Sequence, residues 1–392
     1  MSLPNTAVLH ALKNAGASMA NRHTPFVYNE WYVAAFATEV SRDFLPRRLL
    51  GKRVVLFRTE SGEPVALSDR CAHRAYPLSL GTLEGDTIVC GYHGFRFDVQ
   101  GNCVEVPSAS KCPKGIGVAR YPVVEKGPLV WIWMGDPDAA DTALLPEQDW
   151  LSSPAWKHSQ GSFHLNANYV SMHENLLDLT HLSYLHANTF GTPDYARAAF
   201  RSEIREGYFA LHRDVVPTTL PPVWAKPTQL EGCTTAARIV KSEFKSPAFH
   251  QVNVTFYDSA LPPDARTVSR ISTAHLLTPE THGSCHYFIV HGRDFALAED
   301  DVTAFMHEQL FKAFQEDVDG MSALEQVWET TDEEDMYEMS VASDGPSVAM
   351  RRYLKARAEK EAAVRASALH GVRDARVSAA ASVPLADAVV PV

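Results

Sequence analysis

Two short stretches near the front of the chain, Cys71-Ala72-His73 and Cys90-Gly91-Tyr92-His93, limit what it can fold into more than anything else in it. Each supplies one thiol and one imidazole, and residues 74–89 separate them. A structural zinc site usually groups its donors as two nearby cysteines and two nearby histidines. One thiolate and one imidazole from each of two loops suit a two-iron cluster instead, with both cysteines on one iron and both histidines on the other. Replacing two anionic thiolates by neutral imidazoles raises the reduction potential of such a cluster. Pro77, Gly81, Gly91 and Gly94 permit the tight loops it needs, and Tyr92 could offer a hydroxyl to a cluster sulfur. Zinc is the one rival metal. Cys103, Cys112, Cys233 and Cys285 have no such companions and read as ordinary thiols.

The sequence around these loops reads as short strands between turn signals: Trp31–Ala35, Arg53–Arg58, Pro64–Leu67 and Leu129–Met134. That pattern predicts an antiparallel all-β domain. Residues 136–160, with Pro137, Pro146 and Pro154, read as a linker or surface crossing, and the domain boundary is placed near 150. The 392 residues suit two domains. In the second part, strands are expected at Phe200–Val216, Ala236–Ser246, Gln251–Tyr257, Ser269–Leu277 and Ser284–Phe295, and helices at 301–328 and 348–366. This makes the chain α+β, with an all-β first domain and an antiparallel sheet plus helices in the second.

A second candidate site lies at residues 173–190, where His181 and His186 follow Asp178 in an otherwise apolar run. On a helix Asp178 and His181 share a face. His186 is five residues on, roughly 140° further round, so both imidazoles reach one metal only if the helix ends or distorts near His186. Ala187-Asn188-Thr189 and Gly191-Thr192-Pro193 point to an end there. A carboxylate from elsewhere would complete two histidines and one carboxylate, the ligand set of non-haem Fe(II) oxygenases. An amphipathic helix that carries two histidines and no metal is the plain alternative.

Net charge −11 and the lack of a basic stripe argue against a nucleic-acid partner, and no apolar run is long enough to cross a membrane. Six cysteines in a chain of this length do not make a disulfide framework, so a reducing cytoplasm is expected. Residues 1–29 hold Lys13 and Arg22 and no acidic residue. An N-terminal arm, with Val8, Leu9 and Leu12 as the stripe of a short helix, is the expectation rather than a transit peptide.

These residues carry a family resemblance. Cys71-Ala72-His73-Arg74 with Pro77-Leu78-Ser79 and Gly81, then Cys90-Gly91-Tyr92-His93-Gly94-Phe95-Arg96-Phe97-Asp98, resembles the Rieske domain of Rieske non-haem iron oxygenases. Asn175-Leu176-Leu177-Asp178-Leu179-Thr180-His181, followed by His186, resembles their mononuclear iron motif, with wording closest to the vanillate and dicamba O-demethylase group. The resemblance covers roughly residues 27–365. It implies a Rieske [2Fe-2S] domain over 27–150 and a helix-grip-like catalytic domain over 151–366; an arm over 1–26 and a flexible Ala/Val/Ser-rich tail over 367–392 are expected outside it.

The resemblance also implies roles. Cys71, His73, Cys90 and His93 would hold the [2Fe-2S] cluster, and His181 and His186 a mononuclear Fe(II). The family draws its carboxylate ligand from a late helix. Glu316-Asp317 is similar to the Glu-Asp pair of the demethylase group, which selects Asp317 over Glu316 and Asp319. The helical stripe of Phe314, Val318 and Met321 puts Asp317 beside the buried face and leaves Glu316 and Asp319 nearer solvent. Asp178 would accept a hydrogen bond from His181 and, across a subunit boundary, from a neighbour's His73 or His93. Asn175 would be a distant ligand, a holder of water, or a plain helix-face residue. His275 would meet a substrate carboxylate or phenol, or simply pack on its strand; His250, His286 and Arg293 are weaker candidates.

The implied activity is that of a terminal oxygenase. It would use O2 and electrons from a separate NAD(P)H-dependent flavin/iron–sulfur reductase, with or without a ferredoxin, to oxidise a small aromatic substrate. O- or N-demethylation with release of formaldehyde is the expectation, and ring dihydroxylation or methyl hydroxylation is the alternative. A head-to-tail trimer is implied, whose isolated monomer would be nearly inactive.

Overall fold

In the computed structural model, residues 6–112, 115–332 and 335–381 are described, with backbone alone for residue 6 and residues 368–381. Three small antiparallel sheets build the first domain. The strand Trp31–Phe36 pairs with Leu129–Trp133, so the two ends of the domain close on each other. Every residue of both strands is buried, which is why they read as unbroken apolar runs rather than alternating ones. A third, four-stranded sheet (Thr82–Glu84, Thr87–Val89, Arg96–Phe97, Cys103–Glu105) presents the two Cys/His loops.

The second domain is a seven-stranded antiparallel sheet. Its spatial order is Lys157–Leu165, Ser284–Arg293, Ser269–Thr281, Phe249–Asp258, Ala236–Ser246, Tyr208–Thr218 and Phe200–Arg205. The expected Phe200–Val216 strand is a hairpin, broken at Gly207 with φ +71°. Lys157–Leu165 was not expected as a strand, because Lys-His-Ser-Gln-Gly-Ser-Phe-His-Leu lacks β-branched residues. Nine paired positions along Ser284–Arg293 hold it in place. Gly161 serves a further end there, since a Cβ would stand 2.4 Å from the Phe311 ring. Its absence lets the long helix Asp300–Thr330 lie against the strand.

Period-2 alternation gives the sheet two working faces. Phe249, Ala274, Leu276, Phe288 and Val290 pack against Trp31, Trp131 and Trp133 of the first domain, and Thr278 Oγ1 donates to the Val33 carbonyl at 2.7 Å. The opposite face carries His250, His275, Tyr287 and His291.

The arm and the C-terminal helix are tied together. The helix Thr6–Ala17 has Leu9 and Leu12 half-buried and Val8 exposed. Just after it, Arg351 Nε donates to the Ala20 carbonyl at 2.9 Å, and Arg22 pairs with Glu325 at 3.1 Å. The helix expected at 348–366 runs over Gly345–Ala381, so the flexible tail expected from 367 is helical backbone as far as 381. Ala residues and two arginines in 367–381 favour helix, against Gly371 and the two valines. The rest of that tail, residues 382–392, lies outside the described residues.

Candidate active site: two metal-binding constellations

The first constellation is built on two matching loops. Cys71 N donates to Tyr76 O at 2.8 Å and Cys71 O accepts from Ala75 N at 3.0 Å; Cys90 N donates to Phe95 O at 2.8 Å and Cys90 O accepts from Gly94 N at 3.0 Å. Four residues after each cysteine the backbone is left-handed, at Ala75 (φ 58°) and Gly94 (φ 70°). Both thiols are buried, and burial pushes the Cys71 thiol up, with Cys90 beside it adding to the shift. The two imidazoles face each other with centroids 4.6 Å apart and stand exposed. Asp69 fastens the first loop, accepting from Ser79 N at 2.7 Å and Ser79 Oγ at 2.8 Å. Two sheltered thiols behind two outward imidazoles fit a [2Fe-2S] cluster with the histidine iron at the surface. Tyr92 is 59% exposed and lies tilted against His93 with centroids 3.9 Å apart, and among the described residues its hydroxyl makes no bond toward the cysteines.

The second constellation starts from the helix Tyr169–Leu177, capped by Asn168, whose Oδ1 accepts from Val170 N at 2.9 Å. The helix was expected to persist to His186. It stops nine residues earlier, because Asp178 is extended (φ −113°, ψ 100°) and its Oδ1 caps Thr180 N at 2.9 Å. A 3-10 turn over Leu179–Ser183 follows. This early break brings both histidines to one point: the donor atoms of His181, His186 and Asp317 all lie within 4.8 Å of one another. Asp317 Oδ1 is 3.1 Å from His186 Nε2 and 3.6 Å from His181 Nε2.

The chain after His186 must fold back tightly. Gly191 N donates to His186 O at 2.9 Å, and a Cβ on Gly191 would stand 1.7 Å from the Leu182 carbonyl oxygen. Two buried arginines hold this return from behind. Arg213 donates to Tyr195 O at 2.9 Å and Thr180 Oγ1 at 3.1 Å, and Arg238 to Phe190 O at 3.0 Å.

The electrostatics follow from burial. Burial pushes the Asp317 carboxyl up, but the hydrogen bond and charge of His186, and the charge of His181, outweigh it and hold it below the usual range. Burial lowers His181. It also works to lower His186, where the hydrogen bonds it donates to Asp317 and Glu316, and their charges, reverse the shift. Two imidazoles and one carboxylate converging in a buried pocket fit a ferrous ion.

The remaining expected residues fall as follows. Asn175 is buried and donates through Nδ2 to Asp317 Oδ1 at 3.2 Å, while its Oδ1 has no partner among the described residues. His181 Nδ1 is held by the main-chain carbonyl of Asp178, not by its carboxylate as expected. The 3-10 turn accounts for this by bringing that carbonyl, three residues back, under the ring. Among the described residues, Asp178 Oδ2 takes no hydrogen bond. His275 is buried with Nδ1 2.5 Å from the Tyr287 hydroxyl and its ring 5.5 Å from Phe314. Asp319 is exposed and accepts from Gln315. Glu316 was expected near solvent but is half-buried, with Oε2 2.8 Å from His186 Nδ1 and 2.8 Å from Thr189 Oγ1. Its position next to Asp317 was the only sequence signal for this contact; the part played by Thr189 and the two arginines had none. His250 meets Ser242 at 2.7 Å, His286 the Arg48 carbonyl, and Arg293 the start of the long helix through Thr303 and Glu299.

Four buried histidines of this domain make it acid-sensitive. Burial pushes His173 and His275 down to about 4, His291 to about 3, and His250 well below 6.5. The unfolded chain takes up a proton at each near 6.5, whereas the folded chain does so only at much lower pH. Stability is therefore complete above about pH 7 and is lost as pH falls, by at most about 1.4 kcal/mol per unit per histidine. Thermal unfolding followed from pH 7.5 to 4.5 is expected to show a steadily falling midpoint below 6.5; a flat profile contradicts it.

Comparison with known proteins agrees with this geometry. Residues 30–122 match the Rieske [2Fe-2S] domain, and residues 165–360 match the vanillate O-demethylase oxygenase C-terminal domain. A putative toluene-4-sulfonate monooxygenase system iron-sulfur subunit of Comamonas testosteroni is 36% identical over 298 residues, 74% of this chain and 86% of that protein. The oxygenase component of dicamba O-demethylase of Stenotrophomonas maltophilia is 33% identical over 282 residues, 71% of this chain and 81% of that protein. The crystal structure of dicamba monooxygenase bound to dicamba superimposes with a TM-score of 0.79 at 29% identity, covering 86% of this chain and 99% of that one. A Rieske [2Fe-2S] cluster and a mononuclear non-haem iron are the cofactors this architecture carries. With both domains matched and both constellations formed, the chain belongs to the Rieske non-haem iron oxygenases, as an oxygenase component with a vanillate O-demethylase type C-terminal domain.

Proposed function

We propose that this chain is the terminal oxygenase of a multicomponent monooxygenase that removes a methyl group from oxygen or nitrogen of a small aromatic compound. The observation that carries the reading is the meeting of His181, His186 and Asp317 beside a sheet face on which the buried His275 packs against Tyr287 and Phe314. Relatives named for dicamba and vanillate O-demethylation are similar to this chain over 71% and 69% of its length. For an aryl methyl ether the balance is ArOCH3 + O2 + NADH + H+ giving ArOH + HCHO + NAD+ + H2O. Iron held by His181, His186 and Asp317 supplies O2 activation, and the cluster held by Cys71, His73, Cys90 and His93 supplies electrons singly.

The remaining work belongs to the protein. Burial pushes His275 down and the Tyr287 hydroxyl up, so both are uncharged near neutral pH; in the tautomer in which Tyr287 donates to Nδ1, Nε2–H is left as a donor. That donor suits a substrate carboxylate or phenolate and fixes which carbon faces the iron. Phe314, packed edge-on against His275, holds it in place. Hydroxylating a methyl on oxygen or nitrogen gives a hemiacetal or carbinolamine, which collapses to formaldehyde.

His73, His93 and Tyr92 are exposed at one end, and Tyr184 beside the iron motif is 75% exposed. Asp178 Oδ2 is unengaged beside His181. A head-to-tail trimer satisfies all of these at once, placing one copy's histidines against the next copy's Asp178. An NAD(P)H-dependent reductase, directly or through a ferredoxin, reduces the cluster. The test is a panel of methoxy- and N-methyl-aromatic acids with a surrogate reductase, scored for formaldehyde against NADH and O2 consumed. Formaldehyde in step with NADH is expected. A cis-diol, or a hydroxymethyl arene with no formaldehyde, contradicts the demethylation.

A further inference from the structure

Consecutive carboxylates on the long helix Asp300–Thr330 grip one imidazole from both sides. Asp317 Oδ1 lies 3.1 Å from His186 Nε2, and Glu316 Oε2 lies 2.8 Å from His186 Nδ1. Successive residues on a helix point roughly 100° apart, so two neighbours normally serve different surroundings. Here the His186 ring, with its side chain 0% exposed, stands at the helix shoulder and meets both. Thr189, three residues further along the return loop, donates Oγ1 to the same Glu316 oxygen at 2.8 Å. Phe190 packs on the His186 ring at 4.5 Å and closes that side. The Glu316 side chain keeps 26% exposure, so its charge is partly solvated and inexpensive to hold.

The other histidine is held differently. His181 Nδ1 meets a neutral main-chain carbonyl, that of Asp178. The two imidazoles therefore have unequal backing, one anionic and one neutral.

We propose that Glu316, locked by Thr189, is a positioning residue for the mononuclear metal: it holds the Nδ1 proton of His186, directs the Nε2 lone pair to the metal, and makes His186 the stronger of the two imidazole donors. This rests on His181, His186 and Asp317 being the metal site. A carboxylate behind a metal-bound imidazole fixes its tautomer and raises its basicity, and removing one typically lowers metal affinity 10–100-fold. It would also place two carboxylates, those of Asp317 and Glu316, in the immediate surroundings of a +2 ion.

The test is Fe(II) affinity, measured by anaerobic chelator competition on full-length protein with its [2Fe-2S] chromophore intact, and repeated with Co(II) as a spectroscopic probe. Glu316→Gln keeps the size of the side chain and removes its charge. It is expected to weaken Fe(II) binding roughly 10–100-fold and to shift the Co(II) absorption bands. Asp319→Asn removes an exposed charge two residues from Asp317 and is expected to leave both unchanged. Thr189→Val keeps Glu316 but frees it, and is expected to weaken binding several-fold; it carries the test alone if Glu316→Gln does not fold. Glu316→Gln binding within about twofold of wild type overturns the proposal, as does an equal loss in Asp319→Asn or no loss in Thr189→Val. Wild-type protein that holds its cluster but binds no Fe(II) overturns the site assignment itself, and the proposal with it.

Discussion

Asp317→Ala is expected to abolish product formation while leaving the Rieske chromophore and its reduction intact. Asp317 is 3% exposed and offers the only carboxylate in the three-residue constellation. Removing it leaves two imidazoles, which hold a ferrous ion poorly because a hard cation prefers an anionic oxygen. Losing a mere outer partner of a metal ligand costs 10–100-fold, so loss of the ligand itself is expected to lower turnover by more than about 100-fold. Iron content should fall to that of the cluster alone. The fold should survive, since Asp317 is surrounded by groups drawn to it by charge rather than by close apolar packing. The checks are iron and sulfide analysis, the visible spectrum, and NADH-coupled product formation. Full metal content with normal turnover would return the ligand role to Glu316, whose carboxylate also reaches His186.

The second large effect concerns electron delivery. Asp178 does two local jobs: its Oδ1 caps Thr180 N, and its main-chain carbonyl holds His181. Asparagine is as good a helix cap as aspartate, and the carbonyl is untouched by the substitution. Asp178→Asn should therefore fold, bind iron and keep its cluster. It loses only the anionic Oδ2, the group proposed to accept a hydrogen bond from a neighbouring copy's cluster histidine. Turnover is expected to fall on the order of 100-fold, in the range seen when outer partners of metal ligands are removed. Stopped-flow reoxidation of the prereduced cluster, in the presence of substrate and O2, separates this from a folding defect. Slow reoxidation with both irons in place is the expected result. Unchanged reoxidation and full coupled turnover would remove Asp178 from the path.

Much of this was legible in the chain because metal chemistry leaves strict residue types at strict spacings. The Cys/His loops, the two histidines after Asn175-Leu176-Leu177-Asp178, and the buried stripe flanking Asp317 each stand in local sequence. The shape of residues 169–186 did not. A helix continuing to His186 looked reasonable from composition, yet one aspartate capping Thr180 ends it at Leu177. Local side-chain-to-backbone bonds of this kind compete with helix without changing the apolar pattern. Lys157–Leu165 failed for the opposite reason. Its own residues have weak strand preference, and the partner that fixes it lies more than a hundred residues away. Glu316 meets His186 because the helix axis and the return loop approach each other, which is a tertiary fact. Arg213 and Arg238 reach that loop from the adjacent strands Tyr208–Thr218 and Ala236–Ser246 and look, in sequence, like ordinary strand arginines.

In the proposed function two iron centres, one per domain, act together across copies of the chain. Co-expression of two inactive variants tests this most directly. His93→Ala removes an imidazole of the cluster, and Asp317→Ala removes the carboxylate of the mononuclear site. Each alone should give no product. Mixed oligomers, isolated with two different affinity tags, should recover a substantial part of wild-type product formation, because in the proposed head-to-tail arrangement an intact cluster in one copy would face an intact iron site in the next. Mixed oligomers that hold both kinds of centre and still make no formaldehyde would contradict it.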